Sequence, residues 1–300
     1  MRCSISNQEY VVTYVKIVIF LILSLSVFNS FAISHRTVDE PGIVGLLYYT
    51  EGKLEQPVVA IWGGSGGGIF DGIYLSLEEL VENGYAVLTL AYFDPKSSSK
   101  IIPNTLKRVP LEYFERAFNW VQNQPDLKKG TLAVYGTSRG GELALLLASK
   151  FNFIDLVVAG VPSSYVWGAY EENKTEAEGV GMNNTDPCRS AWTWKGKDIP
   201  SICNKDLENY TPWYSVIDNQ ELVKDYLIPV EQSSAAILLT SGINDAVWPA
   251  TKMSDQIISR LESRKYAYPF KHIAYPLGHN IYNKSWHDVL SFIKLHYPAS

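Results

Sequence analysis

One serine in this 300-residue chain lies in a setting that could make it a nucleophile. The pattern G-x-S-x-G occurs at Gly136-Thr137-Ser138-Arg139-Gly140, between a predicted strand that ends at Tyr135 and a predicted helix. A sharp strand-to-helix turn presents the serine Oγ at the edge of a sheet, beside a helix N-terminus whose partial positive charge favours an anion. Ser138 is therefore the predicted nucleophile.

A second match to the same pattern occurs at Gly63-Gly64-Ser65-Gly66-Gly67, after an early predicted strand. In folds with a nucleophile elbow, a loop at this place supplies backbone N–H groups to the oxyanion hole. We predict that the backbone N–H groups of Gly64, Ser65 and Arg139 bind the oxyanion. A phosphate-binding loop is the alternative, but the chain has neither G-K-[ST] nor G-x-G-x-x-G with a following ribose-binding acid.

A serine hydroxyl needs a base, and the base needs an acid that orients it. In this kind of fold the acid and then the histidine follow the serine along the chain. Asp245 comes just after a predicted strand at 235–241, and His279 just after another at 270–275. His272 lies inside a strand, and Asp218 and Asp225 precede the strand that should deliver the acid. Asp245 and His279 therefore complete the predicted triad.

Short apolar runs alternate with helical patterns from about residue 57, which predicts a doubly wound, mostly parallel sheet with helices on both faces. The predicted strands are 57–62, 85–91, 131–135, 153–160, 235–241 and 270–275. The predicted helices are 74–83, 111–121, 142–150, 254–264 and 286–296. The site residues then follow the carboxyl ends of strands, where parallel sheets bind ligands.

The alternation stops between about residues 162 and 228, where tryptophan and tyrosine become dense. A long irregular stretch inside a compact domain is usually functional, so we predict an aromatic-rich cap over the site. A disordered insertion is the alternative, which large apolar side chains disfavour because they gain from packing.

Residues 1–32 have the pattern of a signal peptide. Arg2 and Lys16 precede an uncharged apolar run at 17–28, and small residues end at Ala32. The run is shorter than the ~20 residues of a bilayer-spanning helix. We expect cleavage near Ala32, a periplasmic or secreted protein of residues 33–300, and no stable membrane span; an uncleaved anchor is the alternative.

The two cysteines beyond this segment, Cys188 and Cys203, are predicted to form a disulfide, which fits export. Two unpaired thiols are the alternative, because sequence alone does not fix their distance.

Composition narrows the classes of function. The formal net charge is −5, and 46% of the residues are hydrophobic, which predicts a globular protein that does not bind nucleic acid. The chain has no C-x-x-C and no H-E-x-x-H, so neither a metal nor another cofactor is expected.

Several blocks of sequence resemble the C-terminal catalytic domain of the acyl-CoA thioester hydrolase and bile acid-CoA:amino acid N-acyltransferase family, over about residues 56–295. The blocks are 84–93, 111–114 with Asn119-Trp120, 138–145, 190–197, 228–231, 245–249 and Gly278-His279. The resemblance implies a dienelactone-hydrolase-like α/β-hydrolase fold. It also implies that Ser138 is the nucleophile, Asp245 the acid and His279 the base.

We therefore expect a serine hydrolase that cleaves a small-molecule acyl ester or thioester through an acyl-enzyme intermediate. A secreted binding protein without turnover is one alternative, since a fold does not guarantee an activity. Peptide hydrolysis or acyl transfer to an amine is another.

Overall fold

A mostly parallel sheet forms the centre of the protein, whose structure is a computed structural model that describes residues 32–69, 77–96, 98–169, 189–202 and 213–299. The strands in chain order are β1 (Ile33–Thr37), β2 (Val44–Thr50), β3 (Val58–Trp62), β4 (Ala86–Ala91), β5 (Val109–Pro110), β6 (Leu132–Thr137), β7 (Ile154–Gly160), β8 (Trp192–Trp194), β9 (Lys197–Asp198), β10 (Ala236–Gly242) and β11 (Phe270–Tyr275). Eight of them form one sheet in the order β1-β2-β4-β3-β6-β7-β10-β11. All neighbours pair in parallel except that β2 is antiparallel to β1 and β4.

The six predicted strands are β3, β4, β6, β7, β10 and β11 of this sheet. Strands that are buried on both faces read as continuous apolar runs, and every residue of β4 and β10 is buried. β1 and β2 were not predicted. β1 has the polar sequence ISHRT and lies at the sheet edge, so it carries no apolar signal.

Helices cover both faces of the sheet. They are α1 (Leu77–Glu82), α2 (Glu112–Asn123), α3 (Arg139–Ala148), α4 (Trp213–Asp218), α5 (Gln220–Val223), α6 (Ala250–Ser263) and α7 (Tyr282–His296). One apolar core contains the buried faces of α2, α3 and α6, and a second contains those of α1 and α7. The predicted doubly wound architecture is confirmed.

Three helices begin earlier than predicted. α3, α6 and α7 start at Arg139, Ala250 and Tyr282 instead of 142, 254 and 286, and α3 ends at Ala148 instead of 150. Apolar periodicity marks the buried middle of a helix, whereas its first turn is fixed by the preceding loop. In α3 that first turn is Arg139-Gly140-Gly141, which has no helical signal in the sequence.

The order of the strands creates a crevice at the carboxyl edge of the sheet. β4 lies on one side of β3 and β6 lies on the other. The chain therefore adds strands to the sheet first on one side of β3 and then on its other side. The loops that leave these two strands diverge, and such a switch point is where open α/β sheets bind ligands.

The segment between β7 and β10, residues 161–235, is called the insertion below. Its described part contains β8, β9, α4, α5 and two 3₁₀ turns, Lys224–Tyr226 and Val230–Gln232. β8 pairs with β5, and isolated bridges join Trp167 to Ile202 and Gly168 to Ser190. The insertion is therefore less irregular than predicted, because short backbone pairings hold its aromatic residues in a core.

Several predictions concern residues outside the described ranges: the signal segment up to residue 31, Cys188 and Cys203. Within the described ranges, no helix combines the length and apolar character needed to cross a bilayer.

Candidate active site

Ser138 sits in a tight turn between β6 and α3. Its backbone has φ 55° and ψ −121°, a region that costs a non-glycine residue ~1–3 kcal/mol. A Cβ on Gly136 would lie 2.0 Å from the carbonyl oxygen of Gly140, so only glycine lets the strand and helix approach this closely. Trp62 at the end of β3 donates its indole N–H to the same oxygen at 2.9 Å. Packing on both sides of the turn thus holds Ser138 in its strained conformation.

Asp245 and His279 are hydrogen-bonded to each other. Asp245 Oδ2 lies 2.8 Å from His279 Nδ1, and the exposed fractions of the two side chains are 2% and 22%. Asp245 Oδ1 accepts the backbone N–H groups of Val247 at 2.9 Å and Trp248 at 3.3 Å. The carboxylate is therefore fixed by its own loop and orients the imidazole, leaving Nε2 as the atom available for proton transfer.

The loops that carry this pair are tied to each other. Ile243 N donates to Tyr275 O at 2.8 Å, and Asn244 N donates to Leu277 O at 2.9 Å. Because β10 and β11 are neighbours, Asp245 and His279 form one unit at the carboxyl edge of the sheet. Ser138 follows β6, two strands away from β10, and within the described ranges its hydroxyl forms no hydrogen bond with the His279 ring.

The glycine loop after β3 lies against the serine turn. A Cβ on Gly64 would be 2.9 Å from Ser138 Cβ and 3.5 Å from Arg139 N. The structure therefore places Gly64 beside Ser138 and Arg139, and Ser65 is the next residue of the same loop.

Tyr92, which follows β4, orients this glycine loop. Its hydroxyl donates to Gly63 O at 2.9 Å and contacts Gly64 O at 3.4 Å. Burial raises the pKa of Tyr92, so the phenol keeps the proton that it donates. In a trans peptide the N–H points away from the C=O, so the N–H groups of Gly64 and Ser65 are turned away from Tyr92. This tyrosine was not predicted from the sequence.

A buried ion pair, Arg139 and Glu142, joins the first turn of α3 to the insertion. Arg139 Nη1 lies 2.9 Å from Glu142 Oε2, and Arg139 Nη2 donates to the carbonyls of Trp167 and Gly168, both at 3.0 Å. Glu142 Oε1 accepts the indole N–H of Trp192 at 2.8 Å and the backbone N–H of Trp167 at 3.2 Å. The ion pair therefore anchors two stretches of the insertion, one at residues 167–168 and one at Trp192.

This pair was missed in the sequence, where only the backbone N–H of Arg139 was given a role. The available signal was the placement of an arginine and a glutamate three residues apart in a helix whose remaining side chains are apolar. Charged residues are almost never fully buried unless they are paired.

The burial of Glu142 predicts a pH dependence of stability. Desolvation outweighs the Arg139 charge and the indole hydrogen bond and raises the pKa of Glu142 to about 7, from 4.5. As pH rises between these values, the unfolded chain releases the proton while the folded protein retains it, so folding loses stability. We expect the free energy of unfolding of the wild type, relative to Glu142→Gln, to fall across this window and to level off above it. Denaturant unfolding at several pH values measures this difference, and a constant difference would contradict the prediction.

The sheet with its helices and the site at its carboxyl edge define the α/β-hydrolase class. An acetyl xylan esterase from Paenibacillus sp. R4 is similar in structure, with TM-score 0.55 and 16% identity, over 91% of this chain and 87% of that protein. An esterase from Pyrococcus furiosus has TM-score 0.55 and 18% identity, over 89% and 92%.

Within that class, the family model described as "BAAT / Acyl-CoA thioester hydrolase C terminal" matches residues 109–284, and the chain belongs to this family. The predicted resemblance is confirmed. Human acyl-coenzyme A thioesterase 2, mitochondrial, is 28% identical over 73% of this chain and 41% of its own length. Mouse acyl-coenzyme A amino acid N-acyltransferase 1 is 26% identical over 86% of this chain and 58% of its own length. The chain thus spans about half the length of these curated relatives.

Proposed function

We propose that the protein is a serine hydrolase that cleaves a small-molecule acyl ester or thioester, with Ser138 as nucleophile, His279 as base and Asp245 as acid. The observation that carries this proposal is the Asp245–His279 hydrogen bond at the sheet edge that also presents a serine in a strained turn. Two of the relatives, the human and mouse proteins above, are named for reactions of acyl-coenzyme A.

In the proposed reaction, Ser138 Oγ attacks the acyl carbonyl carbon and His279 Nε2 takes the hydroxyl proton. Asp245 accepts the Nδ1 hydrogen bond and stabilises the imidazolium. The imidazolium then gives its proton to the leaving alcohol or thiol, and the acyl group stays on Ser138. Water, deprotonated by His279, attacks the acyl-enzyme, and the imidazolium returns this proton to Ser138 Oγ as the bond to the acyl carbon breaks and the acid leaves. The proton transfer requires a hydrogen bond between Ser138 and His279. Catalytic hydrogen bonds of this kind are often long in a free enzyme and shorten when substrate binds.

The oxyanion formed by the attack would be bound by the backbone N–H groups of Gly64, Ser65 and Arg139. The Arg139 N–H belongs to the first turn of α3, where N–H groups have no partner within the helix. The Tyr92 hydroxyl contacts the carbonyls of Gly63 and Gly64, which point away from the N–H groups of Gly64 and Ser65 in the same peptide planes. Donors that are fixed before the reaction stabilise developing charge most effectively.

The proposal is tested by offering the full chain p-nitrophenyl esters and acyl-CoA thioesters of increasing acyl length, with and without glycine as an amine acceptor. We expect hydrolysis of at least one ester or thioester, and labelling of a single serine by a fluorophosphonate probe. Formation of an acyl-glycine in preference to the free acid would assign acyl transfer instead. The absence of both turnover and labelling would favour a binding protein.

A further inference from the structure

A second array of serine, histidine and aspartate lies outside the proposed catalytic site. Ser241 Oγ in β10 is 2.7 Å from His272 Nε2 in β11, and His272 Nδ1 is 2.9 Å from Asp255 Oδ1 in α6. Ser241 has no exposed surface and sits in a regular strand. A substrate therefore has no access to its hydroxyl, and the array has a use other than a second nucleophile.

The contacts continue from Ser241 toward the catalytic loop. Ser241 Oγ is 2.8 Å from Thr251 Oγ1, and Thr251 Oγ1 donates to the carbonyl of Gly242 at 3.0 Å. Asp255, His272, Ser241, Thr251 and the Gly242 carbonyl are called the relay below. It runs from the surface, where the Asp255 side chain is 66% exposed, to the last residue of β10.

The number of protons decides how many of these contacts are hydrogen bonds. Each of the four contacts needs one proton between its two atoms. Thr251 and Ser241 supply one each, the Asp255 carboxylate and the Gly242 carbonyl supply none, and His272 supplies one when neutral and two when protonated. All four contacts are hydrogen bonds only when His272 is an imidazolium.

Neutral His272 therefore leaves one contact without a proton. Its remaining N–H belongs on Nδ1, because a bare Nδ1 would face the Asp255 carboxylate. Nε2 then accepts the proton of Ser241, and Thr251 has a single proton for two acceptors, Ser241 Oγ and the Gly242 carbonyl. Loss of the His272 proton thus weakens or removes the hydrogen bond between Thr251 and Gly242.

The Gly242 carbonyl is where the relay meets the proposed catalytic acid. The backbone N–H of Asp245 donates to the same oxygen at 3.2 Å. Gly242 also packs against the loop of the base, since a Cβ on it would lie 2.0 Å from Gly278 O. A change at this carbonyl therefore acts on the loops of Asp245 and His279 together.

We propose that Ser241, Thr251 and His272 are positioning residues, and that the proton on His272 controls how firmly Gly242 holds the Asp245 loop. The inference rests on the proposed function insofar as it takes Asp245 and His279 as the acid and base. Asp245 in turn orients His279, so a looser Asp245 loop holds the His279 ring less firmly.

The charged surroundings of His272 come from the two elements packed against it. α6 presents Asp255, and it also carries Lys252, which pairs with Asp218. β10 presents Ser241 and, directly opposite His272, the apolar Leu239. Asp255 is thus the counter-ion that the described contacts give to a protonated His272.

The test follows the backbone ¹⁵N signal of Asp245 and the ring signals of His272 by NMR in the full chain, between about pH 5 and 8, where histidines change charge. A His279→Gln background removes the titration of the neighbouring ring. We expect the Asp245 signal to change with the same midpoint as the His272 ring.

Ser241→Ala should abolish that change while His272 still titrates, because Thr251 is then free to donate to Gly242 at every pH. Thr251→Val should abolish it too.

The proposal would be overturned if the Asp245 ¹⁵N signal did not change at the His272 midpoint, or if it still changed there in Ser241→Ala. Because this readout needs no substrate, it separates the relay from the proposed function: a chain that hydrolyses nothing but shows the coupled titration keeps the relay and loses the activity. If hydrolysis is found, the pH profile of kcat/KM should lose its His272-linked inflection in Ser241→Ala.

Discussion

Replacement of Ser138 by alanine is expected to lower kcat for the best ester or thioester substrate by about 10⁴-fold or more, because the members of such a triad act as a unit. The variant loses one oxygen atom and keeps the backbone turn. Its free energy of unfolding should therefore stay within about 1 kcal/mol of the wild type. Steady-state kinetics and fluorophosphonate labelling measure the loss.

Ser65→Ala is the matched control, since Ser65 is the central serine of the other G-x-S-x-G match. Its proposed role uses only the backbone N–H, which alanine retains. We expect kcat to stay within about tenfold of the wild type, because no donor to the oxyanion is removed. A large loss in Ser65→Ala together with full activity in Ser138→Ala would reverse the two assignments.

Above pH 7, where Glu142 is ionised, replacement of Glu142 by alanine is expected to destabilise the fold by about 3–5 kcal/mol, because it leaves the Arg139 guanidinium buried without its counter-ion. The side chains of Arg139 and Glu142 are 7% and 0% exposed, so water does not compensate for the lost contact. The indole N–H of Trp192 and the backbone N–H of Trp167 also lose their acceptor. Denaturant unfolding gives the change in free energy.

The double variant Arg139→Met/Glu142→Leu is the control, because it removes both charges and keeps similar volumes. Replacing a buried pair by apolar residues is often neutral, so the double variant should be clearly more stable than Glu142→Ala. Part of the loss should remain, since the indole N–H of Trp192 and the backbone N–H of Trp167 still lack the Glu142 acceptor. Equal destabilisation of both variants would show that packing, and not the buried charge, sets the cost.

The sequence was most informative where a local pattern of residues is compatible with only one backbone structure. Glycines around Ser138 predict a tight turn because no Cβ fits there, and the largely apolar sequences of β4, β7 and β10 predict buried strands. The order serine, aspartate, histidine then placed the three side chains on loops at one sheet edge. The turn and the buried strands depend on residues close together in the chain, and the positions of Asp245 and His279 were predicted from the strand that precedes each of them.

The rest depends on contacts between distant residues. Nothing near Glu142 in the sequence shows that its partners are Trp167 and Trp192, because these meet it only after the insertion folds onto α3. The relay was hidden for the same reason: His272 was recognised as a strand residue, but its partners Ser241 and Asp255 come from two other elements. β1 was missed because this edge strand has a polar sequence, whereas β2 was missed although its sequence VGLLYYT is largely apolar.

The direct pairing of β7 with β10 has a consequence for how members of this family can diversify. Leu156 lies opposite Ala236, and the register continues to Gly160 and Thr240, so the insertion leaves and re-enters the sheet at adjacent strands. Residues can be added to or removed from it without shifting the strands that deliver Ser138, Asp245 and His279. The central sheet can therefore keep its register while the length and composition of the insertion vary between family members, provided that the contacts of Arg139 and Glu142 with the insertion are kept.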